Sequence, residues 1–374
     1  MLPASSAGNN DMDIQIAKII SNGYGIGWAD GKTFFAPFVL PGEIITVNGS
    51  IKEKGHFLVT DFKLVKPSPF RRKPICDNYT VCGGCSLQHI EYSEQLEIKK
   101  EIFAELLKQN GIALSDIPVV MTPGETGIRT RTKVFIQDGV PSYRAYRSNQ
   151  LVTFTNCPLL NPDFMEKILC VSKKLSGDVQ FEYSKVTREM MPEAKSMFKI
   201  VKGEKFKLLP NSFFQSSEDG AQILVDLVLD EVAGTPTGSA YDLFCGAGLF
   251  SYFLATAGIK TTGVEIVPDA CRSFAENLTD KAEIIKIDAY KLKKLKKTDL
   301  ILADPPREGL GNDLIKTISE SNTEKIIYIS CEPSKFARDL KKFNEYGYKL
   351  SKVTLVDLFP DTPHFEVFSV LSRK

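Results

Sequence analysis

From Asp13 to Lys66 apolar and polar residues alternate in short runs, and the spacing predicts strands over Asp13 to Ile20, Lys32 to Val39, Glu43 to Ile51 and Phe57 to Lys66. Gly23, Gly25 and Gly27 interrupt the first two runs, and Pro41-Gly42 is a turn signal before the third. Five strands of this kind make a small barrel, an architecture that commonly binds oligonucleotides. The Gly-Tyr-Gly-Ile-Gly stretch has the look of a phosphate loop, but no helical pattern follows it. A helix-like period covers Tyr92 to Gln109, and strand-like pieces return after Gly127. Beyond about Lys205 helical and strand patterns alternate: Ala221 to Val232, Ala240 to Phe244, Leu249 to Thr256, Lys260 to Val264, Pro268 to Leu278 and onward. That alternation predicts an α/β domain with a mostly parallel sheet.

Composition narrows the classes without choosing among them. The chain has 374 residues, room for two or three domains, and its 43% hydrophobic and 25% charged content is ordinary for a globular protein. No apolar run approaches the ~20 residues of a membrane span. The stretch from Met1 to Asn10 lacks the basic start and apolar core of a signal peptide and reads as a tail, so the cytoplasm is the expected location. In that compartment eight cysteines are read as ligands or catalysts and not as disulfides. The net charge of +1 hides local asymmetry. Between Arg129 and Arg147 lie Arg129, Arg131, Lys133, Arg144 and Arg147 against the single acidic Asp138, with Tyr143 and Tyr146 interleaved. Cations that meet phosphates and rings that stack on bases form the footprint of single-stranded nucleic acid recognition. The lysine run from Lys291 to Lys297 reads as a solvated loop or helix end.

Candidate chemistry collects at the predicted strand ends. Ala240 to Phe244 runs into Cys245-Gly246-Ala247-Gly248, where two glycines let the backbone approach a ligand before a helix begins. The next strand ends at Glu265, placed to accept hydrogen bonds from ribose hydroxyls, and the one after it ends in Asp288. One Gly-x-Gly without a third glycine suits S-adenosylmethionine better than a dinucleotide, which has phosphates to cradle. A further strand, Thr298 to Ala303, ends in Asp304-Pro305-Pro306-Arg307, whose prolines stiffen the loop. The strand Ile326 to Ile329 leads to Cys331-Glu332-Pro333-Ser334, so the thiol faces the crevice beyond the strand ends, where a nucleophile belongs. Glu366 opens the last strand, and it can reach the same cleft if that strand lies beside the one before Cys331. Separately, Cys76, Cys82 and Cys85 at spacings of five and two intervening residues, with the later Cys157, provide four thiolates. Spacing alone leaves tetrahedral zinc and a four-iron cluster both open.

Taken together these residues resemble the RNA uridine-5-methyltransferases, and most closely the branch acting on ribosomal RNA with an iron–sulfur cluster and an N-terminal TRAM domain. The motifs that carry the resemblance are Cys-x5-Cys-Gly-Gly-Cys with Cys157, Asn211-Ser212-Phe213-Phe214-Gln215, Asp242 to Phe250, Asp304 to Gly309, Ser330 to Pro333 and Phe359 to Glu366. The resemblance implies residues 12–67 as a TRAM, OB-like barrel, 68–204 as a central α+β cluster- and RNA-binding domain, and 205–374 as a Rossmann-like S-adenosylmethionine-dependent methyltransferase domain. It implies a [4Fe-4S] cluster on Cys76, Cys82, Cys85 and Cys157, Cys331 as nucleophile and Glu366 as base. Gln215, Phe244, Glu265 and Asp304 would contact cofactor or target base. The expected substrate is a specific uridine, single-stranded or flipped, in 23S ribosomal RNA; the expected state is a monomer away from membranes. A transfer-RNA substrate, and a non-catalytic RNA-binding cluster protein, are the competing readings. Two departures stand out: Glu332 occupies a position where the family usually has asparagine, and Leu249 one where the ribosomal branch often has a polar residue.

Overall fold

The computed structural model describes residues 12–112, 114, 116–122, 124–234 and 237–373; the predicted tail at 1–10 lies outside them. Contacts divide the chain into two units that interleave in sequence. One comprises residues up to 102 with 143–154 and 359–364; the other holds 103–142, 155–358 and 365–374. The central stretch 68–204 is therefore shared between units and does not form a consecutive block.

In the first unit, β1 (Met12–Ile19), β2 (Gly25–Ala29), β3 (Lys32–Ala36), β4 (Ile44–Glu53) and β5 (His56–Lys66) close into a barrel in the order β1-β2-β3-β5-β4. Alternation in β1 turns Ile14 and Ile16 inward, where they meet Phe34, Ala36, Val39, Ile45, Val47 and Val59. The glycines of the pseudo-phosphate loop serve this packing. A Cβ at Gly25 would stand 2.4 Å from a Val39 methyl, and one at Gly27 2.4 Å from an Ile14 methyl. The helix α1 (Tyr92–Gln109), which runs from the first unit into the second at residue 103, occupies the predicted span, with Ile98, Ile102, Phe103 and Leu107 buried at helical spacing.

Also in this unit, the fully buried Asp361 holds the loop that follows the clustered cysteines. Its carboxylate accepts from Arg72 Nη2 at 3.0 Å, Gln88 Nε2 at 3.2 Å and Gln95 Nε2 at 3.0 Å. Its carbonyl oxygen accepts the amides of Ser86 and Leu87, the two residues after Cys85. Gln88 also accepts the amide of Cys76 at 2.9 Å.

The second unit begins with β6 (Val119–Met121), β7 (Arg131–Gln137) and β8 (Val140–Arg144), the last crossing into the first unit, where β9 (Leu151–Thr153) lies. It continues through α2 (Pro162–Ser172), β10 (Gly177–Tyr183), β11 (Met190–Met191), β12 (Met197–Val201) and β13 (Glu204–Leu208). β10 pairs antiparallel with β7 and β11, and β12 with β13.

Then comes the α/β layer: α3 (Glu218–Val232), β14 (Ser239–Leu243), α4 (Leu249–Thr256), β15 (Lys260–Glu265), α5 (Pro268–Leu278), β16 (Glu283–Lys286) and β17 (Leu300–Ala303). It ends with α6 (Gly311–Glu320), β18 (Lys325–Ser330), α7 (Pro333–Glu345), β19 (Tyr348–Asp357) and β20 (Glu366–Arg373). The sheet order is β16-β15-β14-β17-β18-β20-β19-β6. The first five strands are parallel, with the order reversing at β14, the switch point where open α/β sheets bind ligands. β20 runs antiparallel between β18 and β19. Its residues from Glu366 to Leu371 are all buried, so Glu366 does not open a solvated sheet edge. No described helix is long and apolar enough to cross a membrane.

Candidate active site

The glycine loop forms where β14 ends. Phe244, Gly246 and Gly248 all have positive φ, and Gly248, at φ +90°, stands at the N-cap of α4. Asp242, fully buried, accepts from the Ser251 amide at 3.0 Å and its hydroxyl at 2.6 Å near the start of that helix, and burial pushes its carboxyl up to about 7. Glu265 sits at the predicted strand end, and its side chain also shapes the loop. One oxygen accepts the Gly246 amide at 2.9 Å, the other the amides of Ile266 and Val267 at 2.7 and 2.8 Å. Asp288 occupies its predicted place as well, with one oxygen accepting the Tyr290 amide at 3.0 Å.

The second cluster stands at the ends of β17, β18 and β20. Antiparallel pairing brings Ser330 opposite Val367, so Cys331 and Glu366, each one residue beyond the pair, stand at the same end of two neighbouring strands, where the charge of Glu366 acts on the thiol. β17 adjoins β18, and Asp304 follows it directly. Gln215 reaches over from the segment before α3 and donates through Nε2 to Asp304 Oδ2 at 2.9 Å. The two groups assigned to the cofactor or base thus hold each other.

Burial dominates the electrostatics here. It pushes both Glu366 and Asp304 up from the ordinary carboxylate range, and the charge of Asp304 adds to the effect on Glu366, against the pull of Arg307. Glu366 Oε2 is buried without a hydrogen-bond partner in the described structure. The half-buried Cys331 thiol is pushed up to about 12, by burial first and then by Glu366 and Asp304, with Arg307 opposing. A thiol in this setting is neutral near pH 7, and a ligand that brings positive charge lowers the cost of ionising it.

The site also depends on residues that the motifs do not announce. Asp339 lies among Phe336, Ala337, Leu340 and Phe343 on the buried face of α7. Its Oδ2 accepts the Leu310 amide at 2.7 Å and the Tyr328 hydroxyl at 2.9 Å. A carboxylate on an apolar helical stripe was the available signal. Arg131 presented no such signal. It ion-pairs with Glu182 at 3.4 Å, donates to the Phe214 carbonyl at 3.0 Å and lies 4.7 Å from the centre of the Phe213 ring. It braces the segment that carries Gln215, where the sequence suggested an RNA-facing cation. In the first unit Arg147 is likewise engaged, with Glu53 at 3.0 Å and Tyr24 at 3.3 Å. Glu332, the departure after Cys331, occupies the N-cap position of α7 and accepts the Ser334 hydroxyl at 2.8 Å.

Among the described residues no three of the Cys, His, Asp and Glu side chains gather into a group able to hold a metal. Cys76, Cys82 and Cys85 belong to the first unit and Cys157 to the second. No chemical step is derived through a cluster.

Sheet order, glycine loop and acidic strand ends together define the class, a Rossmann-like S-adenosylmethionine-dependent methyltransferase fold. Within that class the chain is similar to RNA uracil-5-methyltransferases. Residues 256–374 match the tRNA (Uracil-5-)-methyltransferase family. An RNA methyltransferase of Clostridium acetobutylicum is 29% identical, across 98% of this chain and 97% of its own. The 23S rRNA (uracil(747)-C(5))-methyltransferase of Pyrococcus abyssi is 28% identical, across 90% and 95%. The 23S rRNA (uracil(1939)-C(5))-methyltransferase RlmD of Shewanella sediminis is 27% identical, across 96% and 95%. Among solved structures, the Pyrococcus abyssi tRNA (uracil-54, C5)-methyltransferase in complex with S-adenosyl-L-homocysteine superimposes with a TM-score of 0.77 at 25% identity, covering 96% of this chain and 99% of that one.

Proposed function

We propose that the protein methylates carbon 5 of a uridine in 23S ribosomal RNA, with Cys331 as nucleophile and Glu366 as base. The observation that supports this reading is the β18–β20 register, which brings Cys331 and Glu366 to the same end of neighbouring strands, with Asp304 at the end of the adjoining one.

Carbon 5 of uracil is a poor nucleophile. Addition of the Cys331 thiolate to carbon 6 moves the ring electrons onto carbon 5 and the adjoining carbonyl, so that carbon 5 can take a methyl group. S-adenosylmethionine supplies that methyl as an electrophile bound to a sulfonium. Gly246 and Gly248 would let the backbone approach the cofactor, Glu265 would meet its ribose, and Phe244 and the exposed Ile266 would offer apolar surface to its base. Gln215 and Asp304, already bonded to each other, have donors and acceptors left for the uracil edge. Phe213, more than half exposed and backed by Arg131, can stack on a flipped base. Glu366 then removes the carbon 5 proton, the electrons form the carbon 5–carbon 6 double bond, and the carbon–sulfur bond breaks to expel Cys331.

RNA containing 5-fluorouridine tests the sequence of steps, because fluorine at carbon 5 cannot leave as a proton. The wild type is expected to form an adduct that survives a denaturing gel, and Cys331→Ala none. Glu366→Gln should trap an adduct on ordinary RNA. A wild type that makes no cysteine-dependent adduct would falsify the mechanism. The transfer-RNA reading draws on the fold match, and mapping 5-methyluridine in both RNAs from cells lacking the protein decides between the substrates. On their spacing and family resemblance, Cys76, Cys82, Cys85 and Cys157 are proposed ligands of a structural [4Fe-4S] cluster.

A further inference from the structure

The loop from Asp304 to Leu310 carries Asp304 and Arg307, and its far end is fastened at three successive residues. Arg338 Nη2 donates to the Glu308 carbonyl at 3.0 Å, the Tyr290 hydroxyl to the Gly309 carbonyl at 2.7 Å, and the Leu310 amide to Asp339 Oδ2 at 2.7 Å. Gly309 is fitted to this close approach: its φ is +74°, and a Cβ there would stand 2.5 Å from Asp339 Oδ2. Two of the fasteners belong to α7, the helix that opens just after Cys331. Tyr290 comes instead from the short turn that Asp288 caps after β16. Its ring centre lies 5.2 Å from that of Phe244, in the glycine loop, and more than a third of the side chain is exposed. The same side chain therefore offers its ring to the cofactor side and its hydroxyl to the substrate side.

We propose that Tyr290 is a positioning residue through which occupancy of the cofactor site fixes the Asp304–Leu310 loop, so that cofactor and RNA bind with positive coupling. The inference rests on the methyltransferase reading of the site. An adenosyl group packed beside Phe244 restricts the Tyr290 ring, which keeps the hydroxyl on the Gly309 carbonyl. RNA then meets Asp304 and Arg307 in an ordered loop and does not bear the cost of ordering them. Linkage requires the converse: RNA bound to the loop must tighten the cofactor by the same factor.

Equilibrium binding tests this with S-adenosylhomocysteine, which has no methyl to transfer, and hairpin transcripts covering 23S rRNA uridines 747 and 1939, the positions methylated by the relatives. In the wild type the analogue is expected to tighten RNA about tenfold, and RNA to tighten the analogue equally, within the range usual for coupled sites. Tyr290→Phe keeps the ring, so affinity for the analogue alone should stay within about threefold while the coupling falls to about twofold or less. Hydrogen exchange provides a readout that needs no RNA. The analogue should slow exchange of the Leu310 amide in the wild type and leave it unchanged in Tyr290→Phe. Protection that persists in the variant, or is missing from the wild type, overturns the proposal. Both measurements are independent of adduct formation, so failure of the Cys331 chemistry would be seen separately.

Discussion

A carboxyl that opens a strand usually points to water; Glu366 is buried, and its environment raises its pKa. The consequence for stability has a definite sign. An unfolded glutamate ionises near pH ~4.3, whereas the native chain keeps the proton to higher pH. Between those limits native stability falls as pH rises, by about 1.4 kcal/mol per pH unit for one such group, and stops falling once the native carboxyl ionises. Glu366→Gln removes that loss. Thermal melts from about pH 5 to about pH 8 should show the variant gaining on the wild type as pH rises; parallel curves would mean that the native carboxyl is ionised throughout. The catalytic consequence has the opposite sense, since a base must be ionised to work. The acid limb of the pH–rate profile is therefore expected above the ordinary carboxylate range.

At the scale of elements, the glycine loop shows how packing fixes a binding turn. A Cβ at Gly248 would stand 2.4 Å from Leu278 Cδ1 and 2.8 Å from Phe274 Cδ2 of α5, at a φ of +90°. Gly248→Ala is expected to cost about 2–4 kcal/mol of stability and to weaken S-adenosylhomocysteine binding at least tenfold; calorimetry on the folded variant separates the two effects. Local pattern made most elements legible. α1 and α5 occupy the spans read from periodicity, and the acidic strand ends stand where the alternation put them. Pairing was less legible. Nothing local in Glu366 to Arg373 says that the strand runs antiparallel inside the sheet, because a strand buried on both sides from Glu366 to Leu371 has no solvent-facing side to betray its neighbours. Nor could spacing reveal that Arg131 is committed to Glu182 and Phe214, which lie 51 and 83 residues away.

For the whole molecule, a near-neutral charge leaves the proposed RNA binding to local surfaces. If the proposed cluster forms, protein purified without oxygen should be brown, with about four irons per chain and broad absorbance in the blue. Colourless protein with stoichiometric zinc would overturn that assignment. Cys85→Ser, next to the Ser86 and Leu87 amides that Asp361 holds, should lower folding yield or RNA affinity before it lowers the rate of methyl transfer.

The place of β20 also matters before the enzyme is complete. β18, wholly apolar from Ile326 to Ile329, takes β20 as its partner on one side, yet 35 residues separate Ser330 from Glu366. At ~5–20 residues per second, a ribosome leaves that edge unpaired for roughly 2 to 7 seconds. For that interval the nascent chain displays a greasy, hydrogen-bond-hungry strand, the feature that invites mispairing between neighbours on a polysome. Expression yield should therefore respond to chaperone supply and to translation speed over this stretch more than the stability of the finished protein would suggest.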